Sequence, residues 1–197
     1  VRAVAARFGV CPYELSLRYS RFCDVIVGDY NYLFDTRMYL RRYFSEDGNY
    51  CFLVDEAHDL LERAREMYSG ELDSRTLGAL VATLREEASD SPLLSRAEEV
   101  RRLFLRTVKA ALAGERPYED ADGVTHAFTR QKAAPEELFF AVAALAEEGL
   151  RAAQDRRTPL SLREKLRTLC YPLRDFATRA ELNSDHFITF YLREDAQ

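Results

Sequence analysis

The chain has 197 residues, 47% hydrophobic and 31% charged, with a net charge of −5. That length can bury one substantial core or two modest ones; no apolar run is long enough for a membrane span, no secretory leader is visible, and the negative balance argues against a general nucleic-acid binder. Cysteines at 11, 23, 51 and 170 lack the spacing of a disulfide framework and suit a reducing, cytoplasmic compartment.

In chain order, Cys11-Pro12-Tyr13-Glu14-Leu15 opens a short helix. The β-branched run Asp24-Val25-Ile26-Val27-Gly28-Asp29 reads as a buried strand closed by glycine. Tyr30-Asn31-Tyr32-Leu33-Phe34-Asp35 leads into Met38, Tyr39, Arg42 and Tyr43 at helical spacing, and Glu46-Asp47-Gly48-Asn49 is a turn. Phe52-Leu53-Val54 is a second apolar run that stops at Asp55-Glu56-Ala57-His58. Strand, helix, parallel strand is a right-handed crossover unit, which puts the two carboxylates at the carboxyl edge of a sheet, where α/β nucleotide enzymes bind their ligands.

From Leu72 onward the pattern is almost entirely helical. Leu77, Leu80, Val81 and Leu84 form one stripe, and Ser91-Pro92 caps a helix bearing Ala97, Val100, Leu103, Phe104, Val108 and Leu112, with Gly114 as its stop. Residues 115–132, with Pro117 and Gly123, read as a loop or short hairpin and the best candidate for disorder. Pro135-Glu136-Glu137 starts a helix that faces Leu138, Phe139, Val142, Leu145, Ala146 and Leu150 inward. Thr158-Pro159 and a capping box, Ser161-x-x-Glu164, start the last helix, with Leu162, Leu166, Leu169, Leu173 and Phe176 inside and Pro172 expected to kink or split it. Residues 187–192 are β-prone and return the chain to the sheet. Residues 151–179 carry eight basic side chains against three acidic ones, a net +5 that could track a phosphate backbone or be a solvated helix face. His126 and His186 have no recognisable partner spacing, while Cys23, Cys51 and Cys170 read as structural.

The ordered set Cys11-Pro12-Tyr13, then Tyr30-x-Tyr32-Leu33-Phe34-Asp35, then Asp55-Glu56-Ala57-His58 resembles the DinG and XPD group of superfamily 2 DNA helicases, from Cys11 to about Leu72. The resemblance implies an ATP-dependent, 5′ to 3′ DNA helicase in which Asp55 holds Mg²⁺ of the Mg²⁺–ATP complex, Glu56 orients and deprotonates the attacking water, and His58 links the nucleotide site to the second motor domain, with a histidine satisfied in the core as the plain alternative for His58. It also implies that Cys11 is the fourth ligand of an iron-sulfur cluster, with a packed thiol as the plain alternative. Tyr30, Asn31 and Tyr32 would touch the backbone of single-stranded DNA, or else are explained by capping from Asp29 and ring packing. Arg156, Arg157, Arg163 and Arg167 belong to the basic stretch that would bind the same strand. No Gly-x-x-x-x-Gly-Lys-(Ser/Thr) loop occurs and the chain begins at Val1, so the expectation is an excised, inactive piece that needs the remaining helicase domains and assembles no cluster by itself.

The expected fold class is α+β, predominantly α-helical: residues 1–72 as part of motor domain 1 with parallel strands near 24–29 and 50–55, residues 73–183 as a helical insertion like the Arch domain of these helicases, and residues 184–197 as the returning strand. Two other readings stand beside it: a helical protein-interaction module anchored on a motor remnant, and an RNA-directed motor, against which the Cys-Pro-Tyr element argues.

Overall fold

The computed structural model describes residues 1–35, 38–44, 48–120, 124–182 and 187–195. The expected turn residues Glu46 and Asp47, the side chain of Arg42, Gly123 and His186 lie outside them. The chain divides into two compact units, Val1–Met67 and Tyr68–Gln197.

The first unit is built from short helices. α1 (Arg2–Phe8) ends at Gly9, whose φ of 61° is the left-handed conformation glycine adopts without a Cβ penalty. α2 (Pro12–Ser20) starts with extended Cys11 as N-cap and proline in its first turn. α3 (Asn31–Phe34) and α4 (Arg41–Phe44) are single turns. A 3-10 turn, Ala57–Asp59, leads into α5 (Leu60–Tyr68).

Residues 24–29 and 50–55, expected as parallel strands, are not strands. Both run without ladder partners among the described residues, and Val27 and Leu53 are each 95% exposed. Propensity makes a segment fit for a sheet, but only a hydrogen-bonded neighbour makes it a strand. Cys23 and Cys51, expected within buried strands, are exposed for the same reason.

The second unit has a helical core. α6 (Ser74–Glu87) is capped by Asp73, whose carboxylate accepts from the Arg75 N–H at 2.7 Å. α7 (Pro92–Ala111) is capped by Ser91, as the sequence predicts, and Gly114 takes a φ of 93° just beyond it. α8 (Glu136–Ala152) and α9 (Leu160–Ala180) complete a bundle in which each helix packs against two others. Leu77, Leu80, Leu84, Val100, Val142, Leu145, Leu166, Cys170 and Leu173 are fully buried at its centre, each large aliphatic stabilising the fold by about 1.5–3 kcal/mol. Gly149 permits the closest approach of α8 to α9: a Cβ there would lie 2.3 Å from Cys170 Sγ.

Two details of α9 differ from expectation. Its N-cap is Pro159, and Ser161 sits inside the first turn donating to Glu87 at 3.3 Å, so the capping box does not form. A cap needs non-helical backbone at the capping residue, which Ser161 lacks. Pro172 does not split the helix, because Cys170 and Leu173 on either side of it are both buried in the core.

Within the stretch expected as a loop or short hairpin, β1 (Tyr118–Glu119) and β2 (Thr125–Gln131) pair antiparallel. β3 (Thr189–Asp195) adds to β2 antiparallel, with Phe128 opposite Leu192 and Arg130 opposite Phe190, giving the order β1-β2-β3. The returning strand therefore pairs within the second unit. One sheet face, through Ala127 and Tyr191, covers Leu112, Val108 and Ala111 at the end of α7.

Candidate nucleotide and nucleic-acid site

Asp55 and Glu56 stand at the end of an exposed extended segment. The Glu56 N–H donates to Asp55 Oδ1 at 2.9 Å, and Glu56 takes φ 48°, the left-handed region. Such a conformation costs a side-chain-bearing residue about 1–2 kcal/mol, and it turns the chain into Ala57–Asp59. His58 Nδ1 then lies 3.2 Å from Glu56 Oε2, and its Nε2 lies 3.4 Å from Asp59 Oδ1, with all these groups largely in solvent. The structure thus brings Asp55, Glu56 and His58 together at the surface.

Hard carboxylate oxygens suit Mg²⁺, which is commonly held by one or two carboxylates and completed by phosphate oxygens and water. Asp55 and Glu56 fit that role as an incomplete, open donor set. Among the described residues no group of three or more His, Cys, Asp or Glu side chains is arranged to hold a metal. Cys11 is exposed at the start of α2, and Cys23 and Cys51 are likewise exposed while Cys170 is buried in the other unit. The cysteines present do not make a four-thiolate site.

Tyr30 is the N-cap of α3, and the Asn31 N–H donates to Asp29 Oδ1 at 2.8 Å, the capping role foreseen for Asp29. The Tyr32 ring lies 6.5 Å from that of Tyr13, joining two of the recognised motifs. Three residues given no site role from the sequence complete this corner. Asp35, Arg63 and Glu66 line a polar cleft of about 180 Å³ with Asn31 and Met67. Arg63 donates to Glu66 at 3.0 Å, and Glu66 first, then Tyr30, raise its guanidinium above the ordinary value. Asp35 is buried and accepts from the Met38 N–H at 3.3 Å. Its place at the end of the Tyr-x-Tyr-Leu-Phe-Asp motif was the one available signal; Arg63 and Glu66, on an ordinary charged helix face, gave none.

In the second unit, Arg156 and Arg157 are exposed in the turn between α8 and α9, where Asp155 Oδ1 accepts from the Arg157 N–H. Arg163 and Arg167 follow on α9, and Arg167 Nη2 donates to the Ala153 carbonyl at the end of α8 at 3.4 Å. Arg163 is half-buried, and its Nε has no hydrogen-bond partner among the described residues. These four cations border one end of the bundle. Other basic residues of the stretch are engaged: Lys165 with Glu87 at 2.5 Å, Arg179 with Asp175 at 2.6 Å, and Arg174 over the Tyr171 ring.

Residues 1–77 match the DEAD_2 family model. The chain is also similar to proteins called regulator of telomere elongation helicase 1 homolog. It is 30% identical over 129 residues to that of Caenorhabditis briggsae, covering 66% of this chain and 11% of the relative. To that of Caenorhabditis elegans it is 32% identical over 77 residues, 39% of this chain and 8% of the relative. It therefore spans about a tenth of the length of the curated relatives it matches. No solved structure matches it.

Proposed function

From a chain that is a fragment of a DinG/XPD-type superfamily 2 helicase, we infer the part it plays: residues 1–72 contribute the hydrolytic acids of an ATP-dependent DNA motor, and residues 73–183 form its Arch-like insertion. The observation that carries the reading is the surface cluster of Asp55, Glu56 and His58, two adjacent carboxylates with an imidazole against the second.

Phosphoryl transfer to water needs its developing negative charge neutralised and its nucleophile aimed. Asp55 would hold Mg²⁺ through its water shell, and the bound ion would neutralise charge on the triphosphate. Glu56 takes the proton of the attacking water, a carboxylate acting as general base. His58, 3.2 Å from Glu56, is suited to pass the state of that carboxylate on to the second motor domain. Cys11 would give one thiolate to an iron-sulfur cluster whose remaining ligands come from other chain, and no catalytic step runs through it.

The extended residues 24–29 and 50–55, apolar and exposed, would become the parallel strands of the motor sheet in the longer protein. Tyr30, Asn31 and Tyr32, together with Arg156, Arg157, Arg163 and Arg167, are the proposed contacts to single-stranded DNA, with hydrolysis driving 5′ to 3′ movement. Phenol, amide and helix N–H groups suit phosphate oxygens, and guanidinium suits them better still.

The test is Glu56→Gln in the full-length protein. ATP hydrolysis should fall by about 10²–10⁴-fold, the usual contribution of a general base, while nucleotide affinity is kept. Hydrolysis at the wild-type rate would remove Glu56 from the mechanism.

A further inference from the structure

We propose that the outer face of the β1-β2-β3 sheet is a stacking platform for the bases of a single-stranded nucleic acid, a second contact surface that rests on the nucleic-acid reading above. Alternation along the strands sends Ala127 and Tyr191 onto α7 and leaves the opposite face uncovered by the unit. That face carries Tyr118, His126, Phe128, Arg130, Phe190 and Leu192, brought together by the strand register. Tyr118, Phe128 and Phe190 are 56%, 47% and 62% exposed. Large rings left in solvent side by side mark a binding surface more often than isolated exposed residues do.

The arrangement of the rings favours bases as the occupant. Tyr118 stacks on His126 with centroids 5.3 Å apart and planes within 24°, and Phe128 stacks on Phe190 at 6.0 Å and 16°. His126 and Phe128 are two residues apart on the same face of β2, and Phe190 lies opposite Arg130, so the two ring pairs are centred about 10 Å apart along the strand, a separation that suits bases splayed from one another and laid singly on aromatic side chains. The His126 plane is fixed, with Nε2 2.7 Å from Asp120 and Nδ1 3.7 Å from Glu194.

Charge gives the platform a direction. Arg130, directly opposite Phe190, and Lys132 stand at the Phe128–Phe190 end, whereas Asp120 and Glu194 stand at the Tyr118–His126 end. Phosphates are therefore met at the phenylalanine end, and bases run out over the rings. An apolar protein partner would draw on the rings equally but would have no use for this asymmetry.

The chain contains no tryptophan, so Phe190→Trp places a sole indole on the platform. Titrating the 197-residue chain carrying it with oligothymidylate should quench its fluorescence, and an abasic strand of equal length should not. Phe128→Ala and Phe190→Ala should each weaken oligothymidylate binding about tenfold, with Phe190→Tyr near wild type and the urea midpoints of all variants unchanged. Arg130→Ala should lower the salt slope by about one. Unchanged affinity in the folded ring variants overturns the platform. If in that case the joint Arg156, Arg157, Arg163 and Arg167 alanine variant loses affinity, the general nucleic-acid reading stands without it. No binding by the wild-type chain overturns both, and ring variants that alter self-association alone assign the face to a second copy.

Discussion

Burial lifts the Cys170 thiol from an ordinary 9.0 to about 11, because thiolate charge in the packed α8–α9 seam would go unsolvated. The unfolded chain releases that proton near 9 while the folded chain keeps it. Stability from this group is thus full below the unfolded value and falls as pH rises toward 11, by about 3 kcal/mol in all. Urea unfolding of wild type and Cys170→Ala from about pH 8 to about pH 11 should show the gap between them closing; parallel curves would refute it. The single-residue features read from sequence divide by how local their cause is. Asp29, Ser91 and Gly114 do what their residue types predict, since a cap or a left-handed glycine is settled within a turn of chain. Ser161 does not, because the helix already begins at Leu160, and its hydroxyl donates instead to Glu87, distant in sequence. His126 finds Asp120 and Glu194 only through strand register, so no spacing rule could have linked them.

Among the elements, α9 carries Pro172 on its exposed side, where the ring removes one backbone hydrogen bond and crowds the preceding turn. An interior helical proline costs about 3 kcal/mol relative to alanine, here outweighed by Leu166, Cys170, Leu173 and Ala177 in the core. Pro172→Ala should therefore stabilise the second unit by about 1–3 kcal/mol, read as a raised urea midpoint at unchanged slope. A lowered midpoint would mean the proline sets a bend the packing needs. The apolar stripes of α6, α7, α8 and α9 were legible because a helix makes its own hydrogen bonds and leaves only its buried face to choose. The strands were not. Residues 24–29 and 50–55 have strand chemistry and no partner here, whereas residues 125–131, which read as loop or hairpin, are a strand because β3 lies beside them.

At the scale of the whole molecule, the second unit holds the continuous helical core, and among the described residues the first buries only Ala5, Leu17, Asp35 and Met67. Opening energies follow buried contact and protected hydrogen bonds. Hydrogen exchange should accordingly be slowest in α8 and α9 and fast across residues 24–29 and 50–55. Protection there equal to α8 would show that those segments are paired in solution. The joint arginine variant belongs at this scale too: its lost oligonucleotide affinity should come with a shallower salt dependence, by about one unit of slope per phosphate contact removed.

Legible from the residues in order were the three motifs and the family resemblance they carry, the adjacency of Asp55 and Glu56, and the long helices with their inward faces, all matters of neighbouring residues and helical period. Tertiary structure alone decided which apolar runs became strands, that β3 joins β2, that Glu56 turns left-handed against His58, and that rings from β1, β2 and β3 share one open face. Those outcomes depend on contacts between residues far apart in the chain, whose closure no local pattern encodes.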